Sequence, residues 1–147
     1  MTQKVLWRNR DVIVIDMPPG TGDTQLTFAQ EVKVDGAIIV STPQDLALMD
    51  VQRGIQMFDK TKIKIVGLVD NMSFFKTDDG KKHNIFGEGG VEKTAKEFNK
   101  SFLGKIPIST KLRESADLGL PLTYKEPGDE ISKVFLEIAD KVILDVV

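Results

Sequence analysis

Asp11-Val-Ile-Val-Ile-Asp16-Met-Pro-Pro-Gly20-Thr-Gly22-Asp23 is the stretch on which the reading of this 147-residue chain turns. Val12 to Ile15 form a short, unbroken β-branched run, the pattern of a strand buried on both faces of a sheet. Asp16 then stands at the carboxyl end of that strand, the edge along which open α/β sheets bind ligands. The turn behind it holds Gly20 and Gly22, whose lack of side chains lets backbone N–H groups approach an anion closely. A plain turn would use the same glycines only for positive φ, with Asp16 as its cap. The position directly after a buried strand favours a site.

Moving outward, strand and helix patterns alternate. Thr24 to Val32 reads as a helix with Asp23 as its cap, and Gly36 to Ser41 as a second buried strand. Thr42 as N-cap and Pro43 at the first helical position open another helix, striped with Ala47, Val51, Ile55 and Phe58. Lys64 to Val69 is a third strand, ending near Asp70 and Asn71. A polar loop, Lys76 to His83, and the Gly87–Gly90 turn lead to a helix running to about Phe98. Phe102 to Pro107 is a short fourth strand, broken by Gly104 and stopped by Pro107. Lys111 to Leu118 and a final helix after Pro127-Gly128 complete the chain. Strands separated by helices predict a mostly parallel sheet covered on both faces, a three-layer α/β domain over residues 1–147.

Composition narrows the function classes. A net charge of −2 argues against a nucleic-acid surface, which shows as a basic patch. The absence of Cys removes every thiolate ligand for zinc or an iron–sulfur cluster. No apolar run reaches the ~18 residues of a membrane span, and the first ten residues have no signal-peptide core, so a cytoplasmic protein is expected. The final helix sets Asp129, Glu130, Glu137, Asp140 and Asp145 against Lys133 and Lys141. A membrane-surface helix is basic on that face, so its apolar stripe is read as core. His83, beside Lys81 and Lys82, is read as solvated, and Phe74 and Phe75 as packing beneath the loop.

Five segments, in this order and spacing, resemble one family: Asp16–Asp23, Ser41-Thr-Pro-Gln-Asp45, Asn71-Met-Ser73, Ile85-Phe-Gly-Glu-Gly-Gly90 and Gly104-Lys-Ile-Pro107. They resemble the Mrp/ApbC group of ATP-binding iron–sulfur cluster carriers, relatives of the MinD and ParA ATPases, from about residue 5 to residue 143. The resemblance implies a P-loop NTPase fold. It gives Asp16 the role of holding Mg²⁺, Gly20 and Gly22 that of reading the γ-phosphate, and Asn71 and the backbone at Pro107 that of contacting adenine. It also implies iron–sulfur acceptor proteins as partners.

Two departures limit what carries over. No Gly-x-x-x-x-Gly-Lys-Ser/Thr phosphate loop occurs in the chain, so the expected domain is a partial one lacking the N-terminal phosphate-loop strand. In the family that strand lies between the Asp16 strand and the next. Its loss would leave Val12–Ile15 and Ala37–Val40 without their shared neighbour. Either a homodimer or a complementing N-terminal half is the expected partner. Where the family has Cys-x-x-Cys, this chain has Thr77 to Asp79, which supply no soft ligand. An ATP-linked carrier or assembly scaffold is therefore the leading reading, with hydrolysis by this chain alone disfavoured. The alternatives are a non-catalytic dimerisation module built on the same fold, and a MinD/ParA-type positioning ATPase.

Overall fold

The structure, a computed structural model, describes residues 6–7, 9–17, 27–28 and 31–146. The predicted helix over Thr24–Val32 lies mostly outside these residues; 27–28 and 31 are helical, and the Val32 N–H donates to the Phe28 carbonyl at 2.9 Å. Gly20 and Gly22 also lie outside the described residues.

Four strands make the sheet: β1 (Ala37–Ser41), β2 (Ile65–Lys76), β3 (Lys82–His83) and β4 (Phe102–Ile108). β2 runs through the middle, parallel to β1 on one edge and to β4 on the other, while β3 folds back antiparallel to the end of β2. The helices are α1 (Asp45–Thr61), α2 (Gly90–Glu97), α3 (Thr110–Asp117), α4 (Leu122–Lys125) and α5 (Glu130–Val146). The expected three-layer, mostly parallel α/β architecture is present.

The two faces of the sheet are filled by the stripes that the sequence advertises. On one face Leu68 and Ile65 of β2 pack with Val51 and Ile55 of α1 and Val91 and Ala95 of α2. On the other, Val69, Leu103 and Ile106 meet Val134, Phe135, Ile138 and Val142 of α5, which settles the final helix as core. The backbone there comes very close: a Cβ on Gly104 would lie 3.1 Å from Ile138.

Several boundaries differ from expectation, each for a physical reason. β4 passes through Gly104 and Pro107 to Ile108, because among the described residues only β2 pairs with it and an edge strand can carry a residue lacking an N–H. α1 begins at Asp45 after Gln44, and Thr42 bonds the Gln44 side chain at 3.2 Å rather than capping the helix. β2 runs on past Asn71 into a hairpin, since β3 and the end of β4 give its outer half two neighbours. In the turn of that hairpin Thr77 donates to the Asp79 carboxylate, as does the Lys81 N–H, and these bonds hold the Asp79 carboxyl below its usual range.

The largest correction concerns Val12–Ile15. These residues form no ladder, and all four are exposed, Val14 at 86%. A buried parallel strand needs a neighbour to take its backbone donors and acceptors, and no described strand pairs with it. β1, expected to be buried, is likewise an edge among the described residues, with Ile38 and Val40 on its uncovered face 39% and 58% exposed.

Candidate functional site

The middle of β2 and the carboxyl end of β4 bring two of the expected site residues together. Asn71 pairs in register with Ile106, so Pro107 follows immediately beside it. The arrangement is locked by a break in the ladder. Register slips between Asn71 and Phe75, and Met72 takes a left-handed φ of 54°. The buried Ser73 hydroxyl donates to the Ile106 carbonyl at 3.1 Å, replacing the missing backbone bond. The Met72 N–H donates to the Asn71 side-chain oxygen at 3.0 Å. That bond uses the side-chain oxygen as acceptor, which identifies the other atom of the amide as its NH₂ donor.

Asp16 stands apart. It is exposed, belongs to no strand, and no hydrogen bond or ion pair among the described residues joins it to Asn71 or Pro107. Among the described residues no cluster of three acidic or imidazole side chains could hold a metal ion. A single exposed carboxylate does not make a magnesium site. The described residues thus bring Asn71 and Pro107 side by side but do not assemble the donors that a triphosphate and its cation require.

The sequence reading missed a polar row one layer deeper. Ser41, Asp70 and Lys105 are register partners across β1, β2 and β4. Asp70 is 1% exposed, and its Oδ1 has no hydrogen-bond partner among the described residues. Lys105 reaches up to Glu92 in the first turn of α2, Nζ to Oε2 3.3 Å. Burial pushes the Asp70 carboxyl from 3.8 up to about 6, against the pull of Lys105 and with a further push from Glu92. The available signal was a carboxylate directly after the apolar run Ile65–Val69, on the same strand face as Leu68.

A stability prediction follows, with its sign fixed by that shift. Folding favours the protonated Asp70, so this contribution is complete below the unfolded value of 3.8 and lost as pH rises through about 6. Replacing it, Asp70→Asn, removes the titration. Relative to the wild type, this variant is expected to gain about 2 kcal/mol between pH 4 and pH 8, after allowance for partial solvent screening. Urea melts of both proteins across that range check it. A difference that stays constant with pH refutes the assignment.

Comparison with known proteins adds independent information. The ParA family model, described as NUBPL iron-transfer P-loop NTPase, matches residues 1–143. The chain is 44% identical over 143 residues to the iron-sulfur cluster carrier protein of Haemophilus influenzae, covering 97% of this chain and 39% of that protein. It is 43% identical over 144 residues to the iron-sulfur cluster transfer protein NUBPL of Mus musculus, covering 97% and 45%. It therefore spans less than half the length of these relatives. A nucleotide-binding protein from Archaeoglobus fulgidus, solved in complex with ADP, superposes with a TM-score of 0.66 at 37% identity, covering 79% of this chain and 47% of that one. The cell division ATPase MinD of Pyrococcus furiosus shares the fold, with a TM-score of 0.59 at 21% identity, over 75% of this chain and 43% of that one.

Proposed function

We propose, from the premise that this chain belongs to the NUBPL iron-transfer P-loop NTPase family, that it is the base-binding and scaffolding half of an ATP-linked iron–sulfur cluster carrier. The observation that carries the nucleotide part is the juxtaposition of Asn71 and Pro107 on adjacent strands. The Asn71 amide donates to a ring nitrogen of adenine, and the backbone at Pro107 lies along the other side of the base. In a complete site Asp16 holds Mg²⁺ through water while Gly20 and Gly22 read the γ-phosphate. The iron–sulfur cluster is cargo, and with no Cys this chain does not ligate it by thiolate. Delivery to acceptor proteins in the cytoplasm then relies on sulfur ligands from elsewhere in the assembly.

Because base contacts alone leave the phosphates unattended, the isolated chain is expected to bind Mg·ATP with a Kd weaker than about 1 mM, less than about 4 kcal/mol of binding free energy. Calorimetric titration checks this, and a micromolar Kd contradicts it. A separate polypeptide that carries a Gly-x-x-x-x-Gly-Lys-Ser/Thr phosphate loop is expected to restore tight binding when mixed with this chain. The edge of β1 that no described strand pairs with favours a second reading, a dimerisation module. Dimers on size-exclusion chromatography that form equally with and without nucleotide support that module over the carrier.

A further inference from the structure

We propose that Asp70, Lys105 and Glu92 form a proton-operated latch that fastens the first turn of α2 to the sheet, closed while Asp70 carries a proton and slackened once it is given up. The inference is independent of nucleotide binding. It rests on an asymmetry between two carboxylates: Lys105 bears on both Asp70 and Glu92, but only Glu92 has a second cation, Lys96. Asp70 is sealed from solvent with Oδ1 unpartnered among the described residues, so its charge has no water to relax it. From β1 the row contributes only the neutral Ser41, and Glu92 and Lys105 are the charged groups that bear on Asp70 from α2 and β4.

With Asp70 neutral, Lys105 holds Glu92 at 3.3 Å with no competing anion on its own side. With Asp70 ionised, the ammonium is shared between two anions that repel each other. Glu92 has an exit that Asp70 lacks, because its other oxygen already bonds Lys96 on the outer side of α2 at 2.9 Å. Glu92 therefore swings outward and the first turn loosens. Val91, Thr94 and Ala95 remain buried, which confines the response to the turn and to the loop before it. Asp70 and Lys105 directly precede Asn71 and Ile106, so the slack reaches the candidate site through two adjacent strands.

Amide hydrogen exchange on the whole chain, corrected for intrinsic rates, tests the latch between pH 5 and pH 8. The reporter is the Lys93 N–H, which bonds the Gly89 carbonyl at 2.9 Å, and the Leu68 N–H serves as reference for whole-chain opening. Lys93 protection, relative to Leu68, is expected to fall about tenfold as the Asp70 carboxyl carbon resonance titrates. Asp70→Asn is expected to hold Lys93 at its low-pH protection throughout. Glu92→Gln is expected to abolish the pH response while the Asp70 resonance still titrates, which keeps the test decisive if the first variant folds poorly. Lys93 protection that stays level while Asp70 titrates overturns the latch, as does a full pH response in Glu92→Gln.

Discussion

Changing Gly90 to alanine is expected to destabilise the protein by about 2 kcal/mol. Helix propensity alone points the other way, since alanine is favoured over glycine by up to about 1 kcal/mol within a helix. Contact geometry overrides it. A Cβ at Gly90 would sit 2.8 Å from the Pro43 carbonyl oxygen and 2.7 Å from a Leu48 methyl. The leucine can rotate, but the carbonyl belongs to the backbone of the loop between β1 and α1, and it moves only if that loop or α2 moves. Gly90 is thus the point where the Ser41–Asp45 loop and the start of α2 meet, next to the Glu92 end of the polar row. The urea midpoint should drop by roughly 1 M for a slope near 2 kcal/mol per molar. A midpoint at or above the wild-type value shows that propensity wins and that the close approach is not a constraint.

The second large effect is expected at Leu68. Its side chain is fully buried at the centre of β2, packed among Val51, Ile55, Val91 and Ala95. Leu68→Ala leaves a cavity between three elements that cannot all collapse into it, at a cost of about 3–4 kcal/mol. For a domain of marginal stability that is a large share of the total. Leu68→Met, which conserves volume, is expected to cost less than about 1.5 kcal/mol. Thermal and urea unfolding of the pair check this. Equal losses for both variants would mean that side-chain volume at this position does not decide the packing.

The parts of the fold legible in the sequence were those fixed by local pattern plus burial. The stripe Val51, Ile55 and Phe58, the Ile65–Val69 run and the apolar side of α5 each point to a single partner surface, and each meets it. Features that depend on a neighbour were not legible. Val12–Ile15 has the composition of an inner strand, yet composition cannot supply the adjacent backbone that makes one. Pro107 reads as a strand stop until the pairing shows that β4 has only one neighbour among the described residues. Ser73 reads as a loop residue, although its hydroxyl carries the bond that holds β2 to β4 across the register slip.

The candidate site divides in the same way. Asn71 and Pro107 are separated by a helix and a strand in the chain but meet because β2 and β4 are parallel partners. Family resemblance pointed to both; neither residue announces itself by type. Asp70 illustrates the opposite case. It marked the end of a predicted strand, while the structure seals it within one, and only the register with Ser41 and Lys105 exposes its isolation.

One geometric detail bears on how the protein behaves at high concentration. Among the described residues no strand pairs with the outer edge of β1, where the apolar side chains of Ile38 and Val40 also lie. Two copies pair border to border, which uses both borders, so association stops at a pair of chains. The paired fraction is therefore expected to rise with concentration. Val40→Lys, on the outward face of β1, is expected to oppose this pairing without touching the interior.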